Sequence, residues 1–374
     1  MTAAVELLRA SGDDAQRWRT AIAALPRADI YFMPEYAALY EALGEGEAAA
    51  FVMHDMAGLG GRKRVVVHPV LLRDISQLPW AGGLRRTGSR PWRDLVTPYG
   101  YGGPLASEIE PAARAALLAE FEAARAPLCE ELGIVSEFVR FHPLLDTHEG
   151  CAPSFDLERR GETVWLELGD EPTLLAAMTP AARNKIRRAQ REGITAAVET
   201  GPEAIQTLHE IYAAAMHALD APTSYQFPKT YFAALAGIPS DGMDIVIARY
   251  GGQPAWAGTF IQHGEFLHYH LSATAAGRRM TGANNLALLE AALRGAARGA
   301  KMFHMGGGLG TREDSLFTFK ASVGNRRAEF WTGAKVFSRD RYDALVEMQV
   351  RGAAGTKGAP SSGESGYFPA YRTQ

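Results

Sequence analysis

Apolar and polar positions alternate in two periods along the chain, and the two periods take turns. A two-residue period marks strands at 5–8, 48–55, 62–72, 136–145, 163–168, 195–199, 243–250, 254–262, 266–274, 301–308 and 329–337. A 3.6-residue period marks helices at 13–25, 34–43, 111–125, 171–192, 209–219, 229–235 and 284–298, with a last helix running to about 350. Pro34 opens one of these at a favoured early position. The stretch 79–104, rich in Gly, Pro, Trp and Tyr, reads as loop. Helices and strands interleave, so the pattern predicts an α/β protein with mixed (α+β) sheets. The element order also repeats. YAALYEAL (36–43) and YAAAMHAL (212–219) share Tyr, three Ala and the final Leu at equal spacing, and similar elements follow each. Two copies of one module are predicted, meeting near residue 160: an N-terminal domain 1–160, onto which 331–374 can fold back, and a C-terminal domain 161–330. The final YFPAYR is aromatic enough to dock on the body, after a Gly/Ser-rich stretch at 352–366.

Bulk numbers agree and exclude some classes. A chain of 374 residues is too long for one ordinary core. With 47% apolar and 22% charged residues it reads as globular, and its net charge of −3 argues against extended duplex binding while leaving room for a local basic patch. Cys129 and Cys151 have no metal-type spacing and read as free thiols. No apolar stretch reaches membrane-span length, and the N-terminus has no signal-peptide core, so a cytoplasmic protein is expected. A monomer is expected as well.

Candidate chemistry concentrates at 266–320. In FLHYHLSAT, simple alternation puts His268, His270 and Ser272 on one strand face, opposite Leu267, Tyr269 and Leu271. His304 follows in KMFHMGGG, whose three glycines suit either close ligand approach or a sharp turn. No carboxylate or Cys joins these histidines at ligand spacing, so no metal is expected. The turn GRRMTGANN leads a strand into a helix, where Arg279 and Gly282 would hold a phosphate on the helix N-terminus, or Thr281 or Asn284 would cap it. The run 183–193 is a basic helix ending at Gly193. Arg183, Arg187 and Arg191 form one stripe, with Lys185 beside it, suited to solvent or to an RNA backbone. DSLFTFK (314–320) places Asp314, Phe319 and Lys320 together. In the first module, Tyr99 and Tyr101 in YGYGGP, and Arg140 and His142 at a strand end, could line an acceptor cleft or close turns.

The strand–turn–helix–strand order of 266–320 resembles the core of GNAT acyltransferases, whose R/Q-x-x-G-x-G/A motif is matched at Arg279 and Gly282 but not at Asn284. The Phe319-Lys320 ending, and the match of Arg183, Ile186, Ala189 and Gly193 to R-x-x-I-x-x-A-x-x-x-G, more specifically resemble the Fem (FemX-like) peptidyltransferases of the same superfamily. The resemblance implies two tandem GNAT-like domains with an interdomain cleft. It implies transfer of an aminoacyl group from aminoacyl-tRNA, as co-substrate, to the amine of a peptide or small molecule, without a cofactor. By the same resemblance Lys320 would stabilise the oxyanion and Phe319 would shape the acyl pocket. Arg183, Lys185, Arg187, Arg279 and Gly282 would hold tRNA or phosphate. Tyr99, Tyr101, Arg140, His142, His217, Tyr225, His268, His270, Ser272, His304 and Asp314 would line the donor and acceptor sites. Peptidoglycan-acting members carry an Arg near the segment that is here Met216-His217-Ala218-Leu219, and no Arg lies between 201 and 244. This departure points to a free peptide or small amine rather than a nucleotide-linked precursor. Two other readings stand beside this one: an acyl-CoA-dependent N-acyltransferase and a non-catalytic binding module.

Overall fold

A computed structural model describes residues 4–55, 64–81, 91–222, 225–238, 242–277, 281–354 and 367–373. The chain divides into two compact units, 1–160 with 330–374, and 161–329.

The first unit starts with β1 (Ala4–Arg9), α1 (Gly12–Ala23), α2 (Pro34–Ala42), β2 (Glu47–Asp55), β3 (Arg64–Asp74), β4 (Arg93–Val96) and β5 (Leu105–Ala106). It continues through α3 (Pro111–Glu131) and β6 (Ile134–Arg140). Its sheet order is β1-β2-β3-β4-β6, with β5 added to β3. Neighbours are antiparallel except β4 and β6, the pair joined across α3, which are parallel. That is the geometry a helical crossover imposes.

The second unit holds the last residues of β7 (Asp156–Glu167), then α4 (Glu171–Ala177), α5 (Pro180–Arg191), β8 (Ile194–Glu199), α6 (Gly201–Ala218) and α7 (Lys229–Ala236). After these come β9 (Gly242–Tyr250), β10 (Gln253–His263), β11 (Phe266–Thr274), α8 (Ala283–Ala297), β12 (Met302–Gly306) and α9 (Ser315–Val323). Its order is β8-β9-β10-β11-β12, again antiparallel except for the pair β11 and β12 joined across α8. Apart from the short β5, the two topologies match in order: β1-α1-α2-β2-β3-β4-α3-β6 against β8-α6-α7-β9-β10-β11-α8-β12. This corrects the sequence alignment that suggested the repeat. The segment 36–43 lies in α2, whose counterpart is α7, whereas 212–219 lies at the end of α6. The Tyr/Ala match arose from helix composition, although the module repeat is real in topology.

Other expectations shift for identifiable reasons. The helix anticipated at 171–192 is two helices, because Pro180 cannot continue α4 and instead opens α5, with the Thr179 hydroxyl accepting from Ala182 N at 3.3 Å. The loop-like 79–104 contains β4, a four-residue strand with Leu95 and Asp94 fully buried.

Closing the first unit are the residues from 330 onward of β13 (Arg326–Val336), whose 332–336 segment pairs with β6, then α10 (Arg339–Ala354) and the C-terminal residues 367–373. Tyr371 is fully buried there. Its hydroxyl lies 2.7 Å from Ser136 Oγ and donates to Asp94 Oδ2 at 3.1 Å, while Arg372 Nε meets the same Asp94 oxygen at 2.6 Å. Under α3 lies a largely buried ion network. Arg125 Nη2 donates to Glu137 Oε2 (2.6 Å), His68 Nε2 meets Glu137 Oε1 (2.6 Å), and Glu122 joins Arg125 and Lys335. Burial alone would raise the Glu137 carboxyl, yet Arg125 and His68 hold it well below the usual range.

Candidate active site

The candidate site grows from the way β12 ends. Gly306 takes φ 74, a left-handed conformation open to glycine, and a Cβ on Gly308 would lie 2.0 Å from the Arg312 carbonyl oxygen. The glycines of 306–308 therefore make a tight return, the turn reading of the two open from sequence. Asp314 fixes the far side of this loop. Its Oδ1 accepts from Phe317 N (2.9 Å) as the N-cap of α9, and Oδ2 accepts from Leu309 N (3.0 Å). These backbone donors hold its carboxyl below the usual range. Asp314 thus anchors the loop.

About a turn and a half into α9, Lys320 is turned inward with 9% of its surface exposed. Its Nζ donates to the Gly307 carbonyl at 2.6 Å and sits 5.9 Å from the ring centre of Tyr269 on β11. Burial is the main influence on this amine and lowers its pKa to about 8, against a smaller opposing pull from Asp314. An ammonium has three donors. One is held by Gly307 and one side is faced by an aromatic ring, which fixes the direction of the rest. Phe319, one residue earlier, is partly buried against the core beneath α8.

Tyr269 stands where two strands part. The β11–β12 ladder covers only Phe266–His268 against Met302–His304, after which β11 runs on to Thr274 while β12 ends at Gly306. The strand also carries an irregularity: Thr259 pairs with Leu271 but Phe260 with Tyr269, which leaves His270 as an extra residue. This overturns the simple alternation expected for FLHYHLSAT. Ser272 shifts to the face of Tyr269, and the two hydroxyls are hydrogen-bonded. His270 instead lies with its Nε2 2.6 Å from the hydroxyl of Tyr231 on α7, and burial drives its pKa down to about 3, so it is neutral. His268 and His304 are buried with their rings edge to face at 5.4 Å. The structure therefore groups Lys320, Tyr269 and Ser272 on one side, and His270 with Tyr231 on another. Tyr269 and Tyr231 were missed in the sequence: the bulge that brings Ser272 to the face of Tyr269 is invisible to simple alternation, and Tyr231 meets His270 only through the packing of α7 on the sheet.

The other sequence candidates have plain locations. His217 is exposed near the end of α6, and Tyr225 is exposed with its carbonyl accepting from Tyr212 at 2.9 Å. Gly282 opens α8 with φ 88, and a Cβ there would lie 2.2 Å from the Lys185 carbonyl oxygen, so glycine lets α5 and α8 touch. Arg279 lies outside the described residues. Lys185 and Arg187 are exposed on α5. Arg183 is turned back to the end of α4, where Nη1 donates to the carbonyls of Leu175 (3.1 Å) and Met178 (2.6 Å). Arg183→Ala should therefore cost about 1–3 kcal/mol of stability, seen as a lower urea midpoint. An unchanged midpoint would show that these bonds contribute nothing. In the first unit, Arg140 Nη2 donates to the carbonyls of Thr97 (2.9 Å) and Pro98 (3.3 Å). His142 meets Asp29 Oδ2 at 2.6 Å through Nε2, while Nδ1 accepts from Leu144 N (3.2 Å) and Leu145 N (3.1 Å). His142 is thereby a neutral, fixed tautomer pinning the loop after β6. Tyr99 stacks on Tyr40, and Tyr101 packs edge-on against Phe330.

The element order β8-α6-α7-β9-β10-β11-α8-β12, the parting of β11 from β12 and the glycine-capped α8 define a recognisable layout. Residues 180–321 match the family described as an acetyltransferase (GNAT) domain. The second unit is a GNAT domain. Lys320 falls inside the matched region. Across the chain the fold is similar to the crystal structure of FemX, with 12% identity and a TM-score of 0.65, covering 91% of this chain and 99% of that one. It is also similar to L-PGS from Bacillus licheniformis, with 12% identity, a TM-score of 0.53 and coverage of 92% and 98%. At these identities the likeness is one of fold. No curated protein sequence matches. The first unit repeats the GNAT topology with one chemical difference. Its α3, the counterpart of α8, is capped by Glu110, whose own carboxylate accepts from Ala112 N (3.2 Å) and Ala113 N (2.8 Å). A resident carboxylate occupies the position where a phosphate would sit on such a helix. Among the described residues, no helix is long and apolar enough to cross a membrane.

Proposed function

We propose that the protein is an acyltransferase that forms an amide bond, taking an aminoacyl group from aminoacyl-tRNA and passing it to the amine of a peptide or small molecule. One observation carries the reading. Lys320, inside the GNAT domain, is a nearly buried ammonium held by the Gly307 carbonyl and faced by Tyr269. A fixed cation in a site of low dielectric is suited to the negative charge that develops when an amine attacks an ester carbonyl. The ester of an aminoacyl-tRNA is already activated, so neither ATP nor a metal is required. The amine adds to the carbonyl carbon, the carbonyl oxygen takes the charge beside Lys320, and the tRNA hydroxyl leaves with a proton relayed from the nucleophile. The fold shared with FemX, and the Phe319-Lys320 and Arg183-to-Gly193 motifs, support this donor. Holding the two reactants together would supply much of the remaining rate.

One feature favours a second reading, an acyl-CoA donor. Helix α8 opens on Gly282, which offers no side-chain cap; Asn284 Oδ1 takes the amide of Asn285 at 2.9 Å, so a pyrophosphate would meet the amides ahead of it. Incubation with a charged tRNA pool and an amine acceptor separates the two. Product formation that is abolished by RNase and indifferent to acyl-CoA is expected. Dependence on added acyl-CoA would contradict the proposed donor, and failure of both donors would leave the non-catalytic reading.

A further inference from the structure

The exposed face of α5 is chemically uneven. Ala182, Ile186 and Ala189 bury one side of the helix. The run Pro180–Arg191 carries five cations and no carboxylate in a chain whose net charge is −3. Those cations are not equivalent. Arg183 is bound to the end of α4, and Arg188 is paired with Glu192 at 2.6 Å. Arg187 and Arg191, one turn apart, instead share an open groove of about 630 Å³ with the amides Asn184 and Gln190. Arg191 Nε donates to the Arg187 carbonyl at 3.3 Å, which holds its guanidinium along the same stripe.

The helix is also tied to the candidate site. Thr179, its N-cap, donates both its backbone N–H (3.0 Å) and its hydroxyl (3.3 Å) to the carbonyl of Ser322, two residues beyond Lys320. At 1.5 Å rise per residue, Arg187 and Arg191 lie about 12 and 18 Å along the axis from that anchor. A strand with its acyl end at Lys320 would reach them within a few nucleotides. Two guanidiniums fit two backbone phosphates. Two amides, each both donor and acceptor, fit the 2′-hydroxyls that distinguish ribose from deoxyribose.

We propose that this groove docks the sugar–phosphate backbone of the RNA donor, with Arg187 and Arg191 on phosphates and Asn184 and Gln190 on ribose hydroxyls. The assignment rests on the aminoacyl-tRNA reading above. It narrows the basic stripe expected from sequence: Arg183 leaves it, Arg187 and Arg191 stay, and Asn184 and Gln190 join them.

The test is binding of the full chain to an uncharged acceptor-stem hairpin, followed by fluorescence anisotropy across a salt series. RNA and DNA hairpins of one sequence are compared, with circular dichroism to confirm folding of each variant. The double variant Arg187→Ala/Arg191→Ala should weaken RNA binding about 10- to 100-fold and flatten the log–log salt slope by about 2. Asn184→Ala/Gln190→Ala should keep the salt slope and narrow the preference for RNA over DNA. If charged tRNA is a donor but the arginine variant binds the hairpin like wild type, the groove assignment is overturned and the donor reading stands. If the wild type ignores the hairpin and uses acyl-CoA, both fall.

Discussion

Replacing Lys320 with alanine is expected to lower acyl transfer about 10²- to 10³-fold in kcat, the usual consequence of deleting one charge-stabilising donor. Loss of the charge alone should not destabilise the protein. The amine has an ordinary pKa of 10.5 when unfolded and about 8 when folded, so the folded state disfavours the ammonium. Between pH 8 and 10.5 the unfolded chain binds more protons than the folded one, and stability rises with pH across that window. Below pH 8 the burial cost is fully present and amounts to about 3 kcal/mol at most. The bond to Gly307 offsets part of it. Lys320→Met, which keeps the volume and removes the charge, should therefore unfold at the wild-type temperature or above it at pH 7, while losing activity. A residue that costs stability where it sits is better explained by function than by folding. A Met variant that melts several degrees lower would show that Lys320 is a structural ion.

The second large effect concerns stability alone. Tyr371→Ala should cost about 3–5 kcal/mol in the first unit, as truncation of a fully buried aromatic generally does. Tyr371 packs with Ile75, Val135, Tyr342 and Leu345, and its hydroxyl serves Ser136 and Asp94. Asp94 is fully buried and receives Arg73 at 2.6 Å and Arg372 at 2.6 Å. Removing residues 367–374 would delete one of those cations along with the tyrosine and should destabilise at least as much. Tyr371→Phe separates the contributions, since it keeps the ring and should cost about 1–3 kcal/mol for the unmet acceptor. Urea unfolding followed by tryptophan fluorescence reports both. A truncated chain as stable as the full one would mean that the docked C-terminus contributes nothing.

Much of the fold was legible because long periodic stretches dominate it. The strands at 243–274 and the helix at 284–298 follow their patterns closely. Short-range punctuation did most harm where it was subtle. Pro180 both ends one helix and starts the next, so a single amphipathic pattern ran across the break. Strand β4 hides among Gly and Pro residues because only four residues are extended. The site was legible in part. Lys320 and the glycine turn could be found because their chemistry is local. The bulge at His270 could not, because it depends on the register with β10, and neither could the pairing of Lys320 with Gly307, which depends on where the loop returns. The partners of His142 and Arg183 illustrate the same limit. Asp29 is far away in sequence, and carbonyls at a helix end carry no side-chain signal.

The account turns on the ammonium of Lys320, and kcat/KM measured against pH for wild type and Lys320→Ala tests it most directly. In the wild type the rate should rise as the acceptor amine loses its proton and fall again near pH 8 as Lys320 loses its own. The variant should run about 10²- to 10³-fold slower and lack the falling limb. Transfer by Lys320→Ala at the wild-type rate, with the same profile, would contradict the account.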